Sequence, residues 1–474
     1  MNIHARRLIA IPSVLFMTYL IVNFAYAQSP AENAFRKGQG YFNSGNFVEA
    51  FNEFDKTIKL DPDYADGYCG RGAAYETQGD LERAMADYEK AILLNPRYAQ
   101  AYFNRGNMHR EKGDLEKARA DFSKAIEIKA GYADAYRNRG VVYTLENKSD
   151  EAIIDFSKAV ELAPNFTDAY YCRGRTYYDQ NKLEQATADY AKTLSIDQNY
   201  YDAHIGLGNI YYKKGNYDRA LTEYEKAIKI NQKNAVGYYG KGRALDKKEH
   251  FSAAIAEYEK AIQRNPGYAD AYYGRATSYY KKCSYGTTNI FTTEGVLNQA
   301  IADYSKTIEL QPNNANAYHG RGLAYGQSGL IDEAILDFTK AIERNPTFEA
   351  AFYDRGCAYT NLRKSDEAIS DYSKALALDP RDASCYNNRG RLYFEGGEHN
   401  KAIADLSKAI ELYPIETNRE HIPPYLNRAE AYIAKKDYAR AIADCDKVLQ
   451  YHPLYRGAHI LKTKAKSLGN ASRK

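Results

Sequence analysis

Between residues 31 and 455 the chain repeats one pattern at a spacing of 34 residues, of the form A-[DE]-A-Y-x-x-R-G-x-x-Y…A-I-x-D-Y-x-K-A-I-E-L-x-P. Twelve copies fill the stretch, with twelve residues inserted in the eighth copy and five between the eleventh and twelfth. A unit this short cannot bury its own apolar face. It must stack on its neighbours, which makes a solenoid with a continuous core. The flanks, 30 residues before and 19 after, are too short for a separate catalytic domain.

Each repeat predicts two helices. Counting from its first residue, position eight is Gly in ten copies, such as Gly72, Gly140 and Gly356, and position twenty is Ala in all twelve, from Ala50 to Ala441. A mid-helix Gly costs about 1 kcal/mol against Ala, so its recurrence implies a close approach of two helix backbones. Bulky rings fill the remaining space at positions four, eleven and twenty-four, as in Tyr68, Tyr75 and Tyr88. The second helix carries apolar residues at i, i+1, i+4, i+7 and i+8 (Ala84, Met85, Tyr88, Ala91, Ile92), the stripe of a helix buried along one side. Pro closes nine copies, from Pro62 to Pro453, where one helix ends and the next begins.

With these residues in view the chain resembles the tetratricopeptide repeat proteins, over about nine-tenths of its length. It departs from the family pattern in having no Trp, and in placing Lys or Arg at position seven of eleven copies where the family has Leu. The resemblance implies an all-α solenoid of antiparallel helix pairs in a right-handed superhelix, closed by a C-terminal capping helix. It also implies a concave groove, lined by positions two, five, nine, twelve and thirteen, that binds segments of other proteins. The expected organisation is 1–27 as a signal peptide or anchor, 31–268 as repeats one to seven, 269–314 as repeat eight with its insertion, 315–455 as repeats nine to twelve, and 456–474 as a basic cap helix and tail.

The formal charge is +4, of which Arg6 and Arg7 contribute two units; six basic residues follow from Arg456, and the repeats between are slightly acidic. Nonspecific nucleic-acid binding, which needs a basic face, is not expected. Arg6 and Arg7, the apolar run Leu8–Val22 and Ala25-Tyr26-Ala27 before Gln28 resemble a secretory signal. That predicts an exported chain, periplasmic or extracellular. Membrane attachment is expected only if the segment is retained as an anchor, with the repeats still outside the cytoplasm. The six Cys show no C-x-x-C spacing and are expected as isolated thiols, with Cys283 exposed at the start of the insertion.

No phosphate-binding, zinc-hydrolase, nucleophile-elbow or calcium-loop motif is present. No enzyme activity, cofactor, metal or small-molecule substrate is expected. Gly240-Lys241-Gly242-Arg243 copies the repeat theme rather than forming a phosphate loop. Position twenty-three is Asp or Glu and position twenty-six Lys in every copy. The spacing predicts exposed i, i+3 pairs within the second helix. The basic residue at position seven should reach the position-twenty-three carboxylate across the helix pair, as a partly buried bidentate bridge where it is Arg.

The groove positions vary from copy to copy. In repeats five to eight they gather Tyr171, Tyr178, Tyr212, Tyr239, Tyr273 and Tyr280 with Arg175, Asn209 and Arg243, residue types favoured as interface anchors. No copy has Lys at position five with Asn at nine, so the family's Lys/Asn clamp for chaperone C-termini is disfavoured. The insertion near Cys283–Glu294 predicts a loop, with Ile290 and Phe291 as apolar contacts for a partner. Together these features predict a non-enzymatic scaffold holding protein or peptide partners. The alternative is a membrane-tethered accessory of a complex for envelope glycans or secretion.

Overall fold

The computed structural model describes residues 29–284, 290–416 and 421–471, together with the backbone but not the side chains of 290–293. The signal or anchor segment and the end of the basic tail lie outside the described residues, as do most of the five residues inserted before repeat twelve. Among the described residues there are 25 α-helices and no strand. An ordinary repeat has a first helix of 13 residues, such as Ala65–Thr77, and a second of 14, such as Leu81–Leu94. The chain divides into two compact bodies, up to Ile210 and from Tyr211. The first holds repeats one to five and the start of repeat six. The second runs to the cap helix, Arg456–Ala471, which packs on Tyr438–Tyr451 and buries Ala458 and Ala465.

The turn inside every repeat except the eighth is made at position fifteen, in the left-handed region. Gly45, Gly79, Gly113, Gly215, Gly329 and Gly397 sit there, and Asn147, Asn181, Glu249, Arg363 and Lys436 take the same conformation. This left-handed residue just beyond the helix end stops the first helix and lets the chain reverse.

Glycine at position eight is explained by the ring at position twenty-four. A Cβ on Gly140 would lie 2.7 Å from the Phe156 ring, and one on Gly356 2.8 Å from Tyr372. The next repeat presses on the same ring with position six. A Cβ on Gly240 would lie 2.5 Å from Tyr224, and one on Gly274 2.6 Å from Tyr258. Phe54, Tyr190 and Tyr258 are each clamped between two such glycines and are at most 3% exposed. Gly240 and Gly242 are two such contacts, so the glycine-rich stretch is packing, as expected.

The bridge predicted across the helix pair forms. Arg71, Arg105, Arg139, Arg173, Arg275, Arg321, Arg355, Arg389 and Arg428 each donate from Nε and Nη2 to both oxygens of their position-twenty-three Asp; in Arg139–Asp155 the distances are 2.7 and 2.8 Å. The rings at positions four and eleven flank the guanidinium, as Tyr136 and Tyr143 do around Arg139 at 5.6 and 5.9 Å. Nη1 turns to the preceding repeat, where position twenty-five accepts: Ser123 from Arg139 at 3.0 Å, Thr339 from Arg355 at 2.8 Å, Ser373 from Arg389 at 2.9 Å. One side chain thus fixes both the fold of its own repeat and the seating of that repeat on the last.

Two expectations are corrected. Because Arg holds both oxygens of an Asp at position twenty-three, Lys at position twenty-six turns forward to Glu at position twenty-nine instead, as in Lys124–Glu127 and Lys158–Glu161 at 2.7 Å. It pairs backward where position twenty-three is the longer Glu, as in Lys226–Glu223 and Lys260–Glu257. The insertion in repeat eight is largely helix rather than loop. The first helix runs on to Ser284 and the second, Ile290–Leu310, begins early. Extending an existing helix adds one hydrogen bond per residue without a new nucleus. Cys283 is correspondingly 7% exposed, packed with Leu297 and Ala324, and not the exposed thiol the composition suggested. Residues 285–289 lie outside the described residues, as do the side chains of Ile290 and Phe291.

Candidate binding groove

First-helix positions two, five, six, nine, twelve and thirteen, with rings from positions twenty-four and thirty-four, line an open cavity of about 550 Å³ in the first body. Its walls come from repeats one and two and the start of repeat three. The hollow exists because repeat two is small where its neighbours are large: Cys69, Gly70 and Ala73 stand at positions five, six and nine. In repeats one and three, position five is Phe35 and Phe103. Phe35, Phe42, Phe54, Tyr88 and Tyr98 supply ring surface, and Asp66 and Glu76 are the charged groups in the lining. Gly70 cannot be larger, since its Cβ would meet the Phe54 ring at 2.7 Å.

The polar atoms of this wall are held in place. Tyr88 donates its hydroxyl to Glu76 at 2.7 Å, and Asn104 Nδ2 lies 3.7 Å from Cys69 Sγ. Burial pushes the Cys69 thiol up to about 12 and raises Tyr88 and Tyr98 as well. These groups stay protonated at neutral pH. The cavity is therefore an apolar hollow with a carboxylate rim, suited to a side chain with an apolar body.

The nine described residues singled out in the sequence fall in both bodies. Tyr171, Arg175, Tyr178 and Asn209 belong to the first; Tyr212, Tyr239, Arg243, Tyr273 and Tyr280 to the second. Most are engaged with their own repeat. Tyr171 packs on Tyr190 and Tyr200 with ring centroids 5.9 and 5.1 Å apart. Tyr239 packs on Tyr258 and Tyr268 at 6.0 and 4.9 Å, while Arg243 lies over Tyr212 at 4.2 Å and near Tyr239 at 5.6 Å. Tyr273 meets Tyr304 edge-on at 5.7 Å. Tyr280 packs beside Ala276 and Tyr304. Position five is thus half core: its ring leans on positions twenty-four and thirty-four of its own repeat. Large groove side chains do not mark the cavity of repeats one to three; its signal in the sequence is the run of small residues, Cys69, Gly70 and Ala73.

One group of potential metal ligands occurs among the described residues. Glu349, Asp382 and Cys385 bring ligand atoms within 4.8 Å of one another. Asp382 already accepts from the backbone N–H of Ser384 and Cys385, and burial raises the Cys385 thiol above its ordinary range. The arrangement is a helix cap over a protonated thiol.

Family models described as tetratricopeptide or TPR repeat match residues 38–79, 65–98, 87–120, 106–147, 133–166, 174–215, 208–249, 239–285, 289–329, 315–348, 353–414 and 422–453. No curated protein matches the chain significantly. Among solved structures, the APC/C hetero-tetramer Cut9–Hcn1 is 16% identical, with 96% of this chain and 99% of that chain covered and a TM-score of 0.46. YrrB, described as a TPR protein with an unusual peptide-binding site, is 28% identical over 40% of this chain and 97% of its own, with a TM-score of 0.35. MamA is 31% identical over 36% and 94%, with a TM-score of 0.32. The sequence matches cover most of the chain copy by copy, and the helix pairs follow the same 34-residue period. The chain belongs to the tetratricopeptide repeat family, a scaffold fold suited to protein–protein interaction.

Proposed function

We propose that this chain is a non-enzymatic scaffold that holds a segment of a partner protein against its first helices, with the hollow of repeats one to three as the anchor pocket. The observation that carries the reading is the cavity of about 550 Å³ at groove positions, walled by rings and open where Cys69, Gly70 and Ala73 are small. Interfaces concentrate their energy where an apolar anchor fills such a pocket. The side chains that repeat in every copy are engaged in packing and bridges, which leaves copy-specific residues to recognise a partner. No nucleic acid or small-molecule substrate enters this reading.

Selection of peptides from a random display library tests it. Wild-type chain should enrich sequences that share one apolar anchor residue, and Ala73→Trp, which fills the hollow, should lose them. Enriched sequences that bind Ala73→Trp equally well would move the site elsewhere. Export belongs to the same proposal and rests on residues 1–27. A mature N-terminus at Gln28 is the expected result; an intact Met1 on the native protein would replace cleavage with the retained anchor, and repeats shielded from a membrane-impermeant label on intact cells would contradict export. No helix among the described residues is long and apolar enough to cross a membrane.

A further inference from the structure

The hollow of repeats one to three is lined by two carboxylates, Asp66 and Glu76, and by no Lys, Arg or His. The two acids stand at positions two and twelve of one first helix, Ala65–Thr77, with the small residues Cys69, Gly70 and Ala73 between them. Both are half-buried. Glu76 accepts from the Tyr88 hydroxyl at 2.7 Å, a neutral donor, and neither acid forms an ion pair among the described residues. The bases on the first helices of repeats one and two face other acids: Arg36 pairs with Glu32, Lys37 with Glu53 and Arg71 with Asp87.

Elsewhere the chain itself answers acids at these two positions. Asp168, at position two of repeat five, takes Arg137 from position five of the repeat before at 2.8 Å. Asp246, at position twelve of repeat seven, takes Lys281 from position thirteen of the repeat after at 2.8 Å. For Asp66 and Glu76 the answering positions hold Phe35 and Glu111, a ring and a further acid. A half-buried carboxylate without a counter-charge has given up part of its hydration. A cation brought to it recovers that loss through a charge-assisted hydrogen bond.

We propose that the partner segment held in the hollow is basic on both sides of its apolar anchor, with one cationic side chain meeting Asp66 and the other Glu76. The proposal rests on the scaffold reading above and names the chemistry of the partner. Asp66 and Glu76 are ten residues apart on one helix, a rise of about 15 Å. An extended peptide covers that span in roughly four or five residues. The small residues that open the hollow lie between the acids, so the anchor enters midway. The motif is therefore Lys or Arg, a spacer, an apolar ring, a spacer, and Lys or Arg again.

The test uses the full-length chain and four capped peptides: acetyl-Lys-Ala-Phe-Ala-Lys-amide and its counterparts with Gln in place of the first Lys, the last Lys or both. At low salt each Lys should tighten binding about fivefold, the upper end for a partly exposed ion pair. High salt should shrink that gain and leave the peptide with two Gln unchanged. Asp66→Asn should erase the preference for one Lys and keep the other. Glu76→Gln, whose amide oxygen still accepts from Tyr88, should do the reverse. Neither should alter affinity for the peptide with two Gln. Equal binding of all four peptides to wild type, a preference that survives the double substitution, or loss of the same Lys in both variants overturns the proposal. If all four bind wild type equally and Ala73→Trp removes them all, the flanking charges fail and the scaffold reading stands. If wild type binds none of the four, both fail.

Discussion

Repeats two and seven use the same groove positions to opposite ends. In repeat seven, position five is Tyr239 and position nine is Arg243, and the space between the helices is occupied by their stacking on Tyr258, Tyr268 and Tyr212. In repeat two the same positions are Cys69 and Ala73, and the space is left empty. A groove residue that is large enough to attract attention is often large enough to fill the groove itself. Room for a partner appears where the scaffold stops supplying side chains.

That contrast can be broken by exchanging the two behaviours. Tyr239→Ala should cost about 3 kcal/mol of stability, the low end for removing an aromatic ring because this one is half-buried. Denaturant unfolding measures it, and a loss below about 0.5 kcal/mol would show that the ring is surface rather than packing. Arg243→Ala should cost about 1–2 kcal/mol in the same assay, from its contacts with two ring faces. Ala73→Phe in repeat two should have the opposite sign. Filling an existing hollow stabilises by about 0.5–1 kcal/mol, while peptide binding falls. A destabilising Ala73→Phe would mean that the hollow has no space for a ring.

The smallest effect concerns the thiol in the hollow. With its pKa raised to about 12, Cys69 should resist alkylation by iodoacetamide at pH 8 in the folded chain and react once unfolded. Mass spectrometry of the labelled peptide reads this directly. Rapid labelling of Cys69 in the native state would show that the wall of repeat two opens.

The repeated features were legible in the sequence because each is written twelve times. Gly at position eight, Ala at twenty and the pairing of Arg at seven with Asp at twenty-three could be read as geometry before any coordinates. The features peculiar to one copy were not. Nothing in the run around Cys283 distinguishes an extended helix from a loop, since its Thr and Asn residues weaken a helix only slightly once it is nucleated. Cys69, Gly70 and Ala73 are unremarkable residues singly, and their effect is an absence of volume that appears when five rings are placed around them. Position six escaped notice for the reverse reason. Its glycines face the ring of the preceding repeat, so their meaning lies one period away in the chain.

The arginine that grips its own Asp and the hydroxyl of the copy before it has a consequence for how such a chain can change in length. Each joint consults the copy before it, through the hydroxyl at position twenty-five and the ring at position twenty-four. Copies are therefore interchangeable parts, and excising any multiple of 34 residues leaves a joint of the kind already present. The cap helix obeys the same convention: Lys462 reaches back to Asp446 from what would be position seven of a thirteenth copy. The same joint is thus reused one step beyond the twelfth copy.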